Sequence, residues 1–192
     1  MMSQITNIGL TFTHSVGKIG RAVQWVTTPL CKVFNKKARE ECATHVLVWF
    51  QSDDGEKFYY EAYEGEGFRG PLPYVKVEQW VTEKDGRWLK EYDLTKFLAL
   101  GPEQLSSREK FCEDMLSYWT YNIPQLLLQL RIMGVGRRLF PSSPRKVICS
   151  EAAARICHSD TLDFREWCNK KNHDDISPRV LHDAVKRLVE EK

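Results

Sequence analysis

The chain has 192 residues, 42% hydrophobic and 11% aromatic, which is enough apolar mass for one folded domain and excludes disorder as its general state. Lys and Arg number 28 against 26 Asp and Glu, a net charge of +2 without a basic block, so no nucleic acid is expected as a partner. The start of the chain does not read as a signal peptide, and the most apolar stretch, Ile123–Val135, is interrupted by Gln125, Gln129 and Arg131, so no integral membrane span is expected.

Residues 5–12 read as a short strand. A helical stretch follows, with Ile19, Ala22, Val23 and Val26 on one face, closed by Thr27-Thr28-Pro29. Residues 31–43, charged and lysine-rich, read as an insertion or exposed linker. His45–Phe50 is rich in β-branched and aromatic residues and reads as a strand. Ser52-Asp53-Asp54-Gly55 supplies turn chemistry, and Lys57–Tyr63 completes an antiparallel hairpin. Gly65, Gly67 and Gly70-Pro71 read as breaks. Val75-Lys76-Val77 and Arg87–Tyr92, joined through Lys84-Asp85-Gly86, are further strand expectations.

From residue 93 the period turns helical. Ser106 and Glu109 have the spacing of a capping box, ahead of an apolar face of Phe111, Cys112, Met115, Leu116 and Trp119. Residues 124–140 read as a second helix or helical loop, and Pro141–Pro144 as a linker. Glu151–Cys157 has helix composition. Ser177-Pro178 predicts a helix start, with Val180, Leu181, Ala184, Val185, Leu188 and Val189 as its buried stripe. Strands first, then helices around them, indicate a single α+β domain over 1–192.

Six cysteines, at 31, 42, 112, 149, 157 and 168, match no disulfide scaffold and contain no CxxC pair, so free thiols in a cytoplasmic, reducing setting are expected. Cys149 follows Val147-Ile148 and opens a helix. There the unpaired N–H groups of the first turn and the positive end of the helix dipole favour the reactive thiolate. The plain alternative, a small buried apolar residue, suits Cys157. His45 begins a strand, where it serves either as a hydrogen-bonded edge histidine or as a base. Glu61 sits amid an aromatic strand, either facing solvent or buried against a partner. Period-two alternation puts it on one face with Tyr59 and Tyr63, beside the strand that starts at His45. Cys42 and His45, to which Cys157-His158 with Cys168 and His173 could add ligands, offer a metal site that would compete for His45, but without the tight paired spacing of zinc sites, and no metal is expected.

In this order the residues resemble the YiiX-like cysteine hydrolases. These belong to the circularly permuted papain-like group that includes lecithin:retinol acyltransferase and NlpC-type peptidases. That group places histidine first at a strand start, a polar residue on the next strand, and cysteine last at a helix N-terminus. Here those positions read Thr44-His45-Val46, Tyr60-Glu61-Ala62 and Cys149-Ser150-Glu151. Arg21–Thr27, Tyr118–Tyr121 and Asp175-Ile176-Ser177-Pro178 extend the likeness. The group's Gly-Asp pair is replaced by Gly17-Lys18, and Leu47 stands where glycine is common.

The resemblance implies an α+β, circularly permuted papain-like fold, with an antiparallel sheet packed against helices. It implies Cys149 as nucleophile, His45 as base and Glu61 as the residue that orients the imidazole, with no cofactor. Expected substrates are a peptide, a peptidoglycan fragment or a lipid acyl group, cleaved or transferred at an amide, ester or thioester bond. The rival expectation is a non-enzymatic binding or structural module on the same scaffold.

Overall fold

In the computed structural model, which describes residues 4–14, 42–63, 66–83, 87–121, 145–170, 173 and 176–190, the strand-rich half of the chain forms one antiparallel sheet. Strands β1 (Ile5–His14), β2 (His45–Ser52), β3 (Lys57–Tyr63), β4 (Gly67–Pro73) and β5 (Arg87–Asp93) lie in the order β4-β3-β2-β1-β5. Helices α1 (Tyr74–Glu83), α2 (Thr95–Leu98), α3 (Pro102–Met115), α4 (Cys149–Ile156), α5 (Phe164–Trp167) and α6 (Pro178–Glu190) accompany it. Two short strands, β6 (Thr120–Tyr121) and β7 (Lys146–Val147), pair in parallel just ahead of α4. The architecture is α+β, a five-stranded antiparallel sheet packed against helices.

Alternation along the strands divides the apolar residues between two faces. Leu10 and Phe12 of β1, Val46, Val48 and Phe50 of β2, and Tyr60 and Ala62 of β3 merge with residues of α3, α4 and α6 into the main core. Leu47, Trp49 and Tyr59 point the other way and are covered by Val77 and Val81 of α1. Strand β2 is therefore buried on both faces, which is why its sequence is an unbroken apolar run rather than an alternating one. The Trp49 indole needs room over β1. A Cβ at Gly9 would stand 2.3 Å from the Trp49 ring and 2.1 Å from the Tyr92 carbonyl, so only glycine fits there.

Helix α4 is built to lie close to the sheet. Its alanines Ala152, Ala153 and Ala154 are all buried and let the helix approach β2 and β3. Glu151, buried itself, pairs one turn on with Arg155 at 2.5 Å. The Ser150 hydroxyl donates to the Ile176 carbonyl at 2.6 Å, fastening this helix to the segment that leads into α6. Helix α6 starts as its sequence predicts, with Pro178 first and the Val180 N–H donating to Ser177 Oγ.

Several expectations are corrected. Val75-Lys76-Val77 is helical, not a strand. Val77 and Val81, one turn apart, are the residues that bury, each contributing about 1.5–3 kcal/mol, while Val75 is 71% exposed. The glycines and prolines of Gly67–Pro73 do not break the chain but form β4. As an edge strand β4 tolerates Pro71 and Pro73, and a Cβ at Gly70 would collide with the Tyr60 ring at 2.4 Å. Helix α3 starts at Pro102, where the Gly101 N–H donates to Gln104 Oε1, so Ser106 and Glu109 lie inside it and form no capping box. Strand β1 runs on to His14. The expected linker 31–43 ends in Cys42 and Ala43, which are buried rather than exposed. The expected helix over residues 19–26, the segments 31–41 and 124–144, and the turn at 84–86 lie outside the described residues.

Candidate active site

The sheet brings His45 and Glu61 together. The β2–β3 ladder pairs Val48 with Tyr60. Continued by one pair it sets Leu47 across from Glu61, which makes His45 the diagonal neighbour of Glu61 on that face. The His45 Nε2 meets Glu61 Oε2 at 2.5 Å, and the Glu61 side chain is 1% exposed. His45 is the first residue of β2, and its imidazole also interacts with the thiol of Cys149, the first residue of α4. The three residues singled out from sequence thus form one line of contacts, thiol to imidazole to carboxylate.

The line continues to a residue that sequence reasoning missed. Arg69 of β4 pairs across the ladder with Glu61. Its Nε and Nη2 donate to Glu61 Oε1 at 2.8 and 2.5 Å, and its Nη1 donates to Glu66 at 2.6 Å. The guanidinium lies 3.8 Å over the Tyr63 ring, on the face alternation predicts for that tyrosine. Both Glu61 oxygens are therefore engaged, which offsets the cost of burying a carboxylate. The signal in the sequence was a basic residue two positions into the strand that follows Tyr63. The surrounding glycines and Pro71 disguised that strand as a break.

These contacts bias the charge states of His45 and Glu61. Burial alone would lower the His45 imidazole. Interaction with Cys149, and then with Glu61, outweighs burial and raises it to about 10. Burial likewise pushes Glu61 up, but the His45 hydrogen bond and charge, followed by Arg69, bring it below its ordinary value. The arrangement favours the charged imidazolium of His45, held between the Cys149 sulfur and the Glu61 carboxylate. Thr13, the β1 partner of His45, is 1% exposed and its hydroxyl has no hydrogen-bond partner among the described residues. Tyr59, on the same face, turns its hydroxyl toward Glu91 at 3.2 Å.

The other described cysteines lack such a setting. Burial pushes Cys157 and Cys168 up to about 12, and Cys112 well above its usual range. Cys42 is buried rather than exposed. For metals, His45 is committed to Glu61 and Cys149. Among the described residues the grouping with ligand geometry is His158, Asp163 and His173, with none of the cysteines weighed from sequence in it. No helix among the described residues is long and apolar enough to cross a membrane.

The chain matches no protein-family model, no curated protein and no solved structure to which it was compared.

Proposed function

We propose that the protein is a cysteine-dependent hydrolase or acyltransferase of the circularly permuted papain-like type. The observation that carries this reading is the line Cys149–His45–Glu61, with the sulfur at the N-terminus of α4. In the proposed reaction the Cys149 thiolate attacks the carbonyl carbon of an amide, ester or thioester. The oxygen takes up the negative charge, and backbone N–H groups of the first turn of α4 stabilise it, each donor worth about 3 kcal/mol. The His45 imidazolium passes its proton to the leaving group as the carbonyl re-forms, giving a thioester of Cys149. Water or an acceptor then attacks that thioester, His45 removing the proton and Cys149 leaving as thiolate. Glu61 holds the imidazole in orientation and stabilises its charged form. Peptide, peptidoglycan-fragment and lipid-acyl substrates all carry the required carbonyl.

The rival reading is a binding module that keeps the scaffold, and the burial of Cys149, 2% exposed, is the observation on its side. Alkylation separates the two. At pH 6 an unpaired thiol is less than about 1% thiolate. Iodoacetamide at that pH should label Cys149 ahead of the other cysteines, read by mass spectrometry of the peptides, with a denatured control for access. Uniform labelling of the folded chain sinks the hydrolase reading.

A further inference from the structure

Three segments around the C-terminal end of α4 converge on a second cluster that the thiol site does not use. His158 follows α4, Asp163 is the N-cap of α5, and His173 lies in the segment before α6. Their ligand atoms all lie within 4.8 Å of one another. His158 Nδ1 is 3.8 Å and His173 Nε2 is 4.0 Å from Asp163 Oδ1. Those separations are too long for hydrogen bonds, and both nitrogens are shielded from solvent without a hydrogen-bond partner among the described residues. Two orphaned ring nitrogens aimed at one carboxylate oxygen are costly unless something sits between them.

We propose that His158, Asp163 and His173 form a binding site for a divalent transition metal, with zinc the ion it takes. Zinc bonds to imidazole nitrogen and carboxylate oxygen run about 2.0–2.2 Å, which puts tetrahedral ligand atoms roughly 3.4 Å apart. The two nitrogen–oxygen separations need to shorten by about half an ångström to reach that geometry, and the nitrogen–nitrogen separation, which lies within 4.8 Å, by up to about 1.4 Å. Asp163 can release the lone pair. Arg165 Nε is shared between the two carboxylate oxygens, at 3.1 Å from Oδ1 and 3.0 Å from Oδ2, and Nη2 adds a 2.6 Å bond to Oδ2. When an ion takes up Oδ1, the guanidinium keeps both bonds to Oδ2, and the Arg165 backbone N–H keeps its 2.8 Å bond to Oδ1. An open groove of about 270 Å³, lined by Asp163, Arg165, Glu166, Asn169 and Lys170, gives solvent a path to the carboxylate. Two imidazoles with one carboxylate suit zinc and its transition-metal neighbours, not magnesium or calcium, which demand oxygen.

The test uses the full chain carrying Cys149→Ala, so that zinc cannot be held by the thiol and His45. After equilibration with zinc chloride and gel filtration, elemental analysis should find one zinc per chain. Cobalt(II) should give a four-coordinate visible spectrum without a thiolate charge-transfer band. His158→Gln and His173→Gln should each weaken zinc binding at least tenfold with the circular dichroism unchanged. They are the informative variants, because Asp163→Asn also disturbs the α5 cap. Three outcomes would overturn the site: no retained zinc, undiminished zinc in the double histidine variant, or a thiolate band with cobalt. Equal affinity for magnesium would overturn it as well.

Discussion

Cys149 and Cys157 stand at the two ends of one helix, and both are buried. Their surroundings differ in one respect. Cys149 meets the His45 imidazole at the helix N-terminus, whereas Cys157, at the C-terminal cap, is pushed up to about 12 by burial, which the charge of Arg108 only partly offsets. Burial alone makes a thiol inert. Burial beside a cation and at the positive end of a helix does the opposite. The helix therefore carries its own control, and the test of the site is whether Cys149 leads Cys157.

The largest effect should come from the nucleophile. Cys149→Ala should abolish labelling at pH 6 and all turnover, while Cys157→Ala should leave the labelling pattern as it was. If the peptide containing Cys157 is labelled as fast as that of Cys149, the comparison fails. Next comes the base. His45→Ala should lower the alkylation rate of Cys149 at pH 6 by about 10–10³-fold, because it removes both the positive partner and the hydrogen bond. It should also change how stability depends on pH. The folded value of His45, about 10, lies above its ordinary 6.5, so the stabilisation it confers is complete below about pH 6.5 and is lost as the pH rises toward 10. Glu61 is shifted down, so its share holds above its usual range near 4.5 and fades as the pH falls through the lowered value. Urea denaturation at pH 6 and pH 9.5 should show the gap between the native chain and His45→Ala narrowing at the higher pH.

Much of this site was legible in the sequence, for different reasons at each residue. The Asp53-Asp54-Gly55 turn and the apolar runs on either side suffice to lay β2 against β3, and period-two alternation then puts Glu61 near the strand that His45 opens. The contact between His45 and Cys149 was not legible in that way. It depends on how α4 crosses the sheet, which no local spacing encodes, and the expectation rested on a likeness of order alone. Arg69 was hidden because glycine and proline, which usually interrupt strands, are tolerated at a sheet edge. Helix α1 was misread because Val75 and Val77 imitate alternation, and the decisive pair, Val77 and Val81, shows only when something lies beneath to bury them. Of the His158–Asp163–His173 cluster, the two histidines were named from sequence beside cysteines, and Asp163 was missed for a simpler reason. The metal reading from sequence followed sulfur, and the converging ligand was a carboxylate that doubles as a helix cap.

A smaller effect belongs to the carboxylate. Glu61→Gln should keep the fold and cut turnover by about 10–10³-fold, less than loss of Cys149, since the amide can still accept from the imidazole but no longer stabilises its charge. Cys149 should keep a reduced lead over Cys157 in the labelling experiment. An unchanged rate would leave Glu61 a structural anchor for Arg69 and nothing more.

The smallest effect should come from Tyr59, and it sharpens the comparison by its lack of consequence. Tyr59 shares the face of Glu61 and is fully buried, so position alone makes it an alternative partner for His45. Its hydroxyl goes instead to Glu91, a carboxylate that also accepts from Thr11 at 2.9 Å and pairs with Lys57. Removing the hydroxyl leaves Glu91 with two partners and leaves no charge stranded. Tyr59→Phe should therefore cost about 1 kcal/mol of stability or less in a denaturation curve. It should not alter the rate at which Cys149 is alkylated, because nothing in the line from sulfur to Arg69 passes through it. A fall in the labelling rate of Cys149 in this variant would show that the imidazole is oriented by the whole face rather than by Glu61.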